Sequence, residues 1–442
     1  MAGSLRVLMF PWLAYGHILP FLCIAKQLAD RGFLIYLVST RINLESIKKK
    51  IPYKYLFSIH LWELQLPELP ELPSHLWTTN ALPPHLNPTL HKLLKLASGN
   101  FSRILSDLKP DLLIYDFLQP WASKVAERQG IPAGKLLTFC AAVFSYFVSF
   151  RKLPGVEFPF EAISLPEVEL VKLREAVARE REELGRLMEQ NKKMTLMCTS
   201  RTIEAKYIDY CQKLCNWKVV PVGAPFLDLI TSDADNKELM DWLGTKPPNS
   251  TVFVSFGSEY FLSKEDMEEI AFALELSGVN FIWVVRFPKG EERTLIDALP
   301  KGFSERIRER GRVLDKFAPQ QRILSHPATG GFISHCGWNS AMESIDFGVP
   351  IIAMPIHNDQ PINAKLMVEL GVAVEIVRDD DGRIHRGAIA EVLRSVVTSE
   401  TGEILRKKVR ELAKLLKRIR DEEMDIVADT LIQLCRNLNK SK

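Results

Sequence analysis

Seven cysteines in 442 residues (Cys23, Cys140, Cys198, Cys211, Cys215, Cys336 and Cys435) are too few, too scattered and odd in number for a disulfide framework, which points to a reducing, cytoplasmic setting. An excess of one charge is also missing. Lys plus Arg number 57 and Asp plus Glu 54, leaving +3, and no basic run is interleaved with aromatics, so nucleic-acid binding is disfavoured. The longest apolar run, Phe139 to Phe150, is broken by Ser145 and Ser149 and is too short to span a bilayer, so no integral membrane segment is expected. The opening LRVLMFPWL has no basic region or separate cleavage site before it and reads as a first core strand, not a signal peptide. Without a secretory route, the sequons at Asn100 and Asn249 are incidental.

Several chemical signatures are absent too. No GxSxG, CxxC, HExxH, GxGxxG or Walker A pattern occurs, which argues against a covalent serine enzyme, a zinc hydrolase, a dehydrogenase and a P-loop kinase. Cys211 and Cys215 are four apart with nothing near in sequence to complete a zinc set, and His75, His85 and His91 are irregularly spaced, so no metal is expected.

What is present is a long α/β pattern, 47% hydrophobic and too long for one ordinary domain. Leu5 to Leu13 is apolar almost throughout, as in a parallel strand covered on both faces. A helix follows with Pro20 in its first turn, ended by Gly32 before a strand over Leu34 to Val38. Further strands are predicted at Leu56 to Leu61, Asp111 to Asp116, Ala133 to Thr138 and Met194 to Cys198, with a helix over Leu90 to Lys109. The Pro-rich stretch Leu66 to Pro88 has the composition of a mobile loop, and Arg174 to Lys193 that of an exposed, salt-bridged helix. Residues 1–224 are expected to form an N-terminal domain, 225–236 a linker, and 237–442 a second domain. The second half restarts the doubly wound pattern: helices at Lys237 to Leu243, Lys264 to Ser277 (a Ser263/Asp266 capping pair), Pro300 to Arg310, Ile389 to Val397 and Leu405 to Asn437. Its strands are predicted at Thr251 to Phe256, Asn280 to Val285 and Arg312 to Leu314.

The stretch around which the chain is organised is FAPQQRILSHPATGGFISHCGWNSAMESIDFGVPIIAMPIHNDQ, Phe317 to Gln360. It reads as a buried strand (Gly331 to Ser334), a turn (His335 to Ser340), a helix opening near Ala341, a second strand (Val349 to Met354) and a polar loop ending in Asp359 and Gln360. Gly337 lets the backbone approach a ligand closely, and Asn339 and Ser340 stand where free N–H groups meet the positive end of a helix dipole, which suits a phosphate. Glu343, one turn further, can accept from a ribose diol, and Phe317 can stack on a base. In the first half, Tyr15-Gly16-His17 stands at the carboxyl end of the first strand, where open α/β sheets bind ligands. His17 sits at a helix N-terminus, where the dipole disfavours the imidazolium and keeps a neutral base available.

The aromatic-APQ, HPxxGGF, HCGWNS, ES, GVP and DQ elements together resemble the donor-binding box of plant UDP-dependent glycosyltransferases of family 1, and the likeness extends over essentially the whole chain. That resemblance implies the GT-B fold, two Rossmann-like doubly wound domains facing across a cleft, with the last helix packed back on the N-terminal domain. It implies an inverting transfer with His17 as base and Asp116 as its hydrogen-bonded partner. It assigns Phe317 to the uracil face, Gln320 to the nucleoside edge, Glu343 to the ribose, His335, Asn339, Ser340 and Ser258 to the diphosphate, and Trp338, Asp359 and Gln360 to the sugar, with Ala318 and Gly337 also counted in the donor site. Phe317 stands where the family more often has Trp. UDP-glucose is the expected donor, ahead of UDP-xylose or UDP-rhamnose, with no permanently bound cofactor. Phe317 and the segment FGSEYFLS resemble the branch-forming subgroup that acts on glycosides, such as the mogroside (cucurbitane triterpenoid) glucosyltransferases. A glycoside acceptor is therefore expected, held by Trp12, Tyr15, Glu259, His357 and Asn358, by a monomeric enzyme. An aglycone O-glucosyltransferase and a non-catalytic UDP-sugar-binding protein are the alternatives.

Overall fold

Parallel strands buried on both faces show up as unbroken apolar runs, and in the computed structural model every residue of Leu112–Asp116, Thr251–Ser255 and Thr329–Ser334 is buried. The structure describes residues 4–80, 82–171, 175, 194–223, 236–257, 260–287, 294–316, 318–379 and 381–439. The chain divides into two compact units. The first comprises Met1–Val156, Val177–Leu227 and Arg418–Lys442, the second Glu157–Ala176 and Asp228–Lys417.

The first unit is built on β1 (Arg6–Phe10), β2 (Leu34–Ser39), β3 (Ile59–Glu63), β4 (Leu112–Asp116), β5 (Ala133–Leu137), β6 (Thr195–Met197) and β7 (Val219–Pro221). The order is β3-β2-β1-β4-β5-β6-β7, with every pair parallel. The second unit has β8 (Thr251–Ser255), β9 (Asn280–Val284), β10 (Gly311–Leu314), β11 (Thr329–Ser334), β12 (Ile351–Ala353) and β13 (Ala373–Glu375), in the order β10-β9-β8-β11-β12-β13, again all parallel. Each order reverses direction once, between β1 and β4 in the first sheet and between β8 and β11 in the second. Crossovers leave to opposite sides at such a switch point, so the strand ends there open a crevice.

Local departures from expectation have local causes. The first helix, Tyr15–Ala29, begins well before Pro20, which lies inside it. The helix expected over Leu90 to Lys109 is two, Asn87–Leu96 and Ser98–Leu108, because Ser98-Gly99-Asn100 are poor helix formers. The second of these ends at Lys109, held left-handed at φ 44° just before Pro110. Pro300 to Arg310 keeps only the short helix Phe303–Arg306. Of the Ser263/Asp266 pair, the Ser263 hydroxyl accepts from Asp266 N at 3.0 Å. The Pro-rich stretch is not loose: Leu66, Leu72, Trp77 and Leu82 are buried in the first unit's core, Trp77 Nε1 donates to Leu72 O at 3.0 Å, and Thr79 N donates to Leu13 O at 3.0 Å. The helix expected at Arg174 to Lys193 and the linker 225–236 lie, apart from residues 175 and 236, outside the described residues. The final helix, Glu400–Asn439, has 40 residues, and those from Arg418 onward are counted with the first unit. Among the described residues, no helix is long and apolar enough to cross a membrane.

Candidate active site

At the switch point of the first sheet, β1 runs into Ala14, extended at φ −109° and ψ 142°, and the chain turns directly into the helix Tyr15–Ala29. This turn puts His17 in the first helical turn beside the carboxyl end of β4, where Asp116 is fully buried. His17 Nδ1 lies 2.8 Å from Asp116 Oδ2 and 3.1 Å from Thr138 Oγ1. A carboxylate only accepts, so the proton of this pair belongs on Nδ1, and Nε2 is left with a lone pair on a ring still 19% exposed. The other carboxylate oxygen accepts from Leu118 N at 3.0 Å, which fixes the Asp116 rotamer.

Thr138 and Glu204 carry no signal in the sequence, yet they brace this geometry. Glu204, fully buried at a kink in the helix Arg201–Cys215, accepts from Ala141 N at 3.1 Å and Ala142 N at 2.7 Å, and the Thr199 hydroxyl donates to it. Burial pushes its carboxyl up, while the Thr199 and backbone hydrogen bonds pull the other way. The carboxylate thus caps the helix Ala141–Lys152 just after Thr138.

The acceptor candidates in this unit divide. Trp12 is 4% exposed, and its ring is stacked on His91 at 3.9 Å between centroids, inside the core. There the indole gains from burial and from its aromatic partner. Tyr15 is half-buried at the start of the helix, its phenol pushed up by burial with a Ser46 hydrogen bond opposing.

In the second unit, Gly257 at φ +81° follows β8, and His335 follows β11. A Cβ on Gly257 would stand 2.9 Å from His335 Nε2, and one on Gly337 2.5 Å, so the imidazole occupies space that two glycines leave open. Burial first, and then the nearby His357, push His335 down to about 4, with a Ser255 backbone hydrogen bond opposing; the ring is neutral near pH 7. Cys336, left-handed at φ 62°, redirects the chain into the helix Trp338–Asp346. That helix begins three residues earlier than expected, so Trp338, Asn339 and Ser340 form its first turn, with Gly337 at the cap. Trp338 is 3% exposed.

Glu343 is held by two amides: Gln320 Nε2 donates to Oε2 at 2.5 Å and Gln321 Nε2 to Oε1 at 3.3 Å. Gln320 Nε2 also reaches Ser340 Oγ at 3.4 Å, so these three expected site residues share one network, and Ala318 is buried beside it. Gln360 does not end a loop as expected. It opens a helix, Gln360–Glu369, and its Oε1 accepts from Ile356 N at 3.0 Å and His357 N at 3.1 Å. Asn363, fully buried and not anticipated, donates to Cys336 O at 3.0 Å and to Asp359 Oδ2 at 2.8 Å, tying the two polar turns together. His357 meets Tyr260 edge-on at 5.2 Å, and Asn358 is exposed at φ 58°. Ser258, Glu259 and Phe317 lie outside the described residues. No group of three metal-ligating side chains occurs among the described residues.

The family model described as "UDP-glucoronosyl and UDP-glucosyl transferase" matches residues 228–417, and one described as "Glycosyltransferase, N-terminal domain" matches 3–223. The chain is 49% identical over 442 residues to a Gardenia jasminoides protein named beta-D-glucosyl crocetin beta-1,6-glucosyltransferase, covering 98% of this chain and 100% of that one. It is 48% identical over 432 residues to a mogroside IIIx synthase of Siraitia grosvenorii, with 95% of each covered. Among solved structures, that of TcCGT1 in complex with UDP superposes with a TM-score of 0.81 at 26% identity, covering 100% of both chains. Two parallel doubly wound sheets, matched in this way to GT-B structures and by both family models, mean that the chain belongs to the family 1 UDP-glycosyltransferases.

Proposed function

We propose that this UDP-glycosyltransferase moves glucose from UDP-glucose to a sugar hydroxyl of a plant glycoside in the cytoplasm, with inversion at the anomeric carbon. The observation that carries the chemistry is the 2.8 Å contact between His17 Nδ1 and buried Asp116, which leaves Nε2 as the base. In the proposed step, Nε2 takes the acceptor hydroxyl proton, the oxygen attacks the anomeric carbon, and the bond to the UDP oxygen breaks. Asp116 stabilises the imidazolium that results, as a buried carboxylate partner does in other base-catalysed transfers. The departing diphosphate is stabilised by the amides at the start of Trp338–Asp346 and by an N–H of His335. Glu343, presented by Gln320 and Gln321, takes the ribose diol. Trp338, Asp359 and Gln360 face the transferred sugar in this reading.

A glycoside acceptor is supported by two relatives, at 49% and 48% identity over nearly the whole chain, whose names specify a glucosyl crocetin and a mogroside. The cytoplasm is supported by all seven cysteines being unbridged and buried. The test is paired kinetics on one scaffold, with a free aglycone and its monoglucoside as acceptors, the donor varied among UDP-glucose, UDP-xylose and UDP-rhamnose, and the product linkage read by NMR. A higher kcat/KM for the monoglucoside with UDP-glucose is expected. A higher value for the aglycone would replace the reading with an aglycone glucosyltransferase, and binding without transfer would remove the catalytic assignment.

A further inference from the structure

Tyr53 and Phe57 are 80% and 82% exposed, and Leu56 between them is 49% exposed. They belong to one tight 3₁₀ turn, Tyr53–Tyr55 continued by Leu56 at φ −59° and ψ −26°, in which Tyr53 and Leu56, three apart, share a face and Phe57 follows directly. The exposure does not come from a loose segment. Tyr55, on the opposite side, is 4% exposed and donates through its hydroxyl to Asp30 Oδ2 at 2.7 Å, and Lys54 Nζ donates to Asp30 Oδ1 at 3.2 Å. A turn clamped to the body through Tyr55 therefore holds two aromatic rings and a leucine out in water, which is costly unless something covers them.

Charge says what that cover is. Residues 41–57 hold five cations (Arg41, Lys48, Lys49, Lys50 and Lys54) and one anion (Glu45); Arg41 pairs with Glu45 and Lys54 with Asp30, which leaves Lys48, Lys49 and Lys50 as the segment's other cations. Lys48 and Lys49, shortly before Tyr53 in the chain, are exposed. Exposed aromatic and leucine side chains next in sequence to a run of lysines match an anionic lipid surface, where rings enter the headgroup boundary and ammonium groups stay with phosphates. We propose that the Tyr53-Leu56-Phe57 turn with its lysines docks this enzyme peripherally on anionic membranes. Lys50 Nζ lies 6.0 Å from the centre of the Tyr15 ring, and Tyr15 opens the helix that carries His17. The docked edge therefore adjoins the catalytic end of the first unit.

The test is cosedimentation of the full-length protein with vesicles of phosphatidylcholine alone and of phosphatidylcholine mixed with phosphatidylserine, at low and high salt. The wild type should pellet with the anionic vesicles, less so at high salt, and stay in solution with the neutral ones. A Tyr53→Ser, Phe57→Ser double variant should lose binding at both salt levels. Lys48→Gln with Lys49→Gln should weaken it on the order of 30-fold at low salt and flatten the salt dependence. Because all four side chains are exposed, thermal stability and glucosyl transfer in solution should stay as in the wild type, which separates loss of docking from loss of fold. A wild type that stays in the supernatant with anionic vesicles overturns the proposal, as do two variants that bind like the wild type.

Discussion

His335 and Gly337 are packed so closely that a methyl group on the glycine would sit 2.5 Å from His335 Nε2. Gly337→Ala must therefore displace the imidazole from the start of the helix Trp338–Asp346, although the backbone there, at φ −57°, accepts alanine without strain. Overpacking of this kind costs roughly 1–3 kcal/mol of stability; with the imidazole displaced and its hydrogen bond to the diphosphate lost, UDP binding measured by calorimetry should weaken on the order of tenfold. Unchanged UDP affinity would mean that His335 does not serve the diphosphate.

In the dyad, His17→Ala should lower kcat on the order of 10²–10⁴-fold and leave the KM for UDP-glucose near its wild-type value. Asp116→Asn should cost less, because the amide keeps an acceptor oxygen for His17 Nδ1 but lacks the charge that stabilises the imidazolium. Thr138, a positioning residue through its 3.1 Å contact with the same nitrogen, should give a several-fold kcat loss as Thr138→Val and recover as Thr138→Ser. If the serine variant is no better than the valine one, the hydroxyl contributes nothing.

Protonation of His335 makes the donor site pH-sensitive. Its folded value of about 4 lies below the unfolded 6.5, so the unfolded chain binds the extra proton in that window. Stability from this residue is complete above about 6.5 and is lost as pH falls toward 4. A bound diphosphate favours the imidazolium and raises that folded value, so the complex takes up a proton and UDP-glucose affinity should rise as pH drops from about 7 to about 5. Calorimetry in buffers of different ionisation enthalpy would detect the uptake, and His335→Gln should abolish it. Equal proton uptake by the variant would point to another group.

Gln360 allows its two roles to be separated. Its Oε1 holds Ile356 N and His357 N, so Gln360→Ala should loosen that turn and impair binding of every UDP-sugar. Gln360→Glu keeps an acceptor for both amides but loses the donor Nε2, so UDP affinity should persist while kcat/KM for UDP-glucose falls, on the order of tenfold. Parallel losses in the two variants would show that the side chain only supports the turn.

Lys135 on β5 is 1% exposed, and burial pushes its amine down to about 7 although the Trp217 face lies 3.6 Å away and favours the charged form. Between about 7 and 10.5 the unfolded lysine keeps a proton that the folded one sheds, so stability contributed here increases with pH across that range. Lys135→Met should raise Tm at neutral pH by roughly 2–4 °C per kcal/mol recovered, an advantage over the wild type that shrinks as pH rises from about 7 toward 10.5. A variant with lower Tm at neutral pH would mean that the charge is well solvated by its surroundings.

Much of the fold was legible because buried parallel strands and capped amphipathic helices leave periodic traces. The helix Lys264–Ser277 has the bounds expected of it, with the Ser263 hydroxyl as its cap. The helix Gln360–Glu369 escaped notice because Gln360 to Ala364, Leu366 and Met367 are all buried, which removes the polar face on which a helical period depends. His17 stands in the first helical turn after β1 and Asp116 ends β4, and pairing the two rested on the family resemblance. Thr138 meets His17 across 121 residues, and Asn363 reaches Cys336 across 27, and contacts of that range have no local signature. At Trp12 the sequence alone cannot distinguish an indole that lines a pocket from one that packs, as here, on His91.

The division of the chain into units also sets the rules for cutting and splicing it. The second unit takes in Glu157–Ala176 as well as Asp228–Lys417, and Ile163 in that early segment is 2% exposed within a short turn, Glu161–Ile163, packed against the helix Gln360–Glu369. The first unit reclaims Arg418–Lys442, where Arg31 Nε bonds Asp425 at 2.7 Å and Ser200 Oγ bonds Glu423 at 2.6 Å. A chimera made with a single crossover near residue 228 would thus pair one parent's Gln360 helix with the other's 157–176 segment, and one parent's Asp425 with the other's Arg31. Grafts intended to exchange donor preference between relatives should carry residues 157–176 along with 228–417 and return to the first parent at 418.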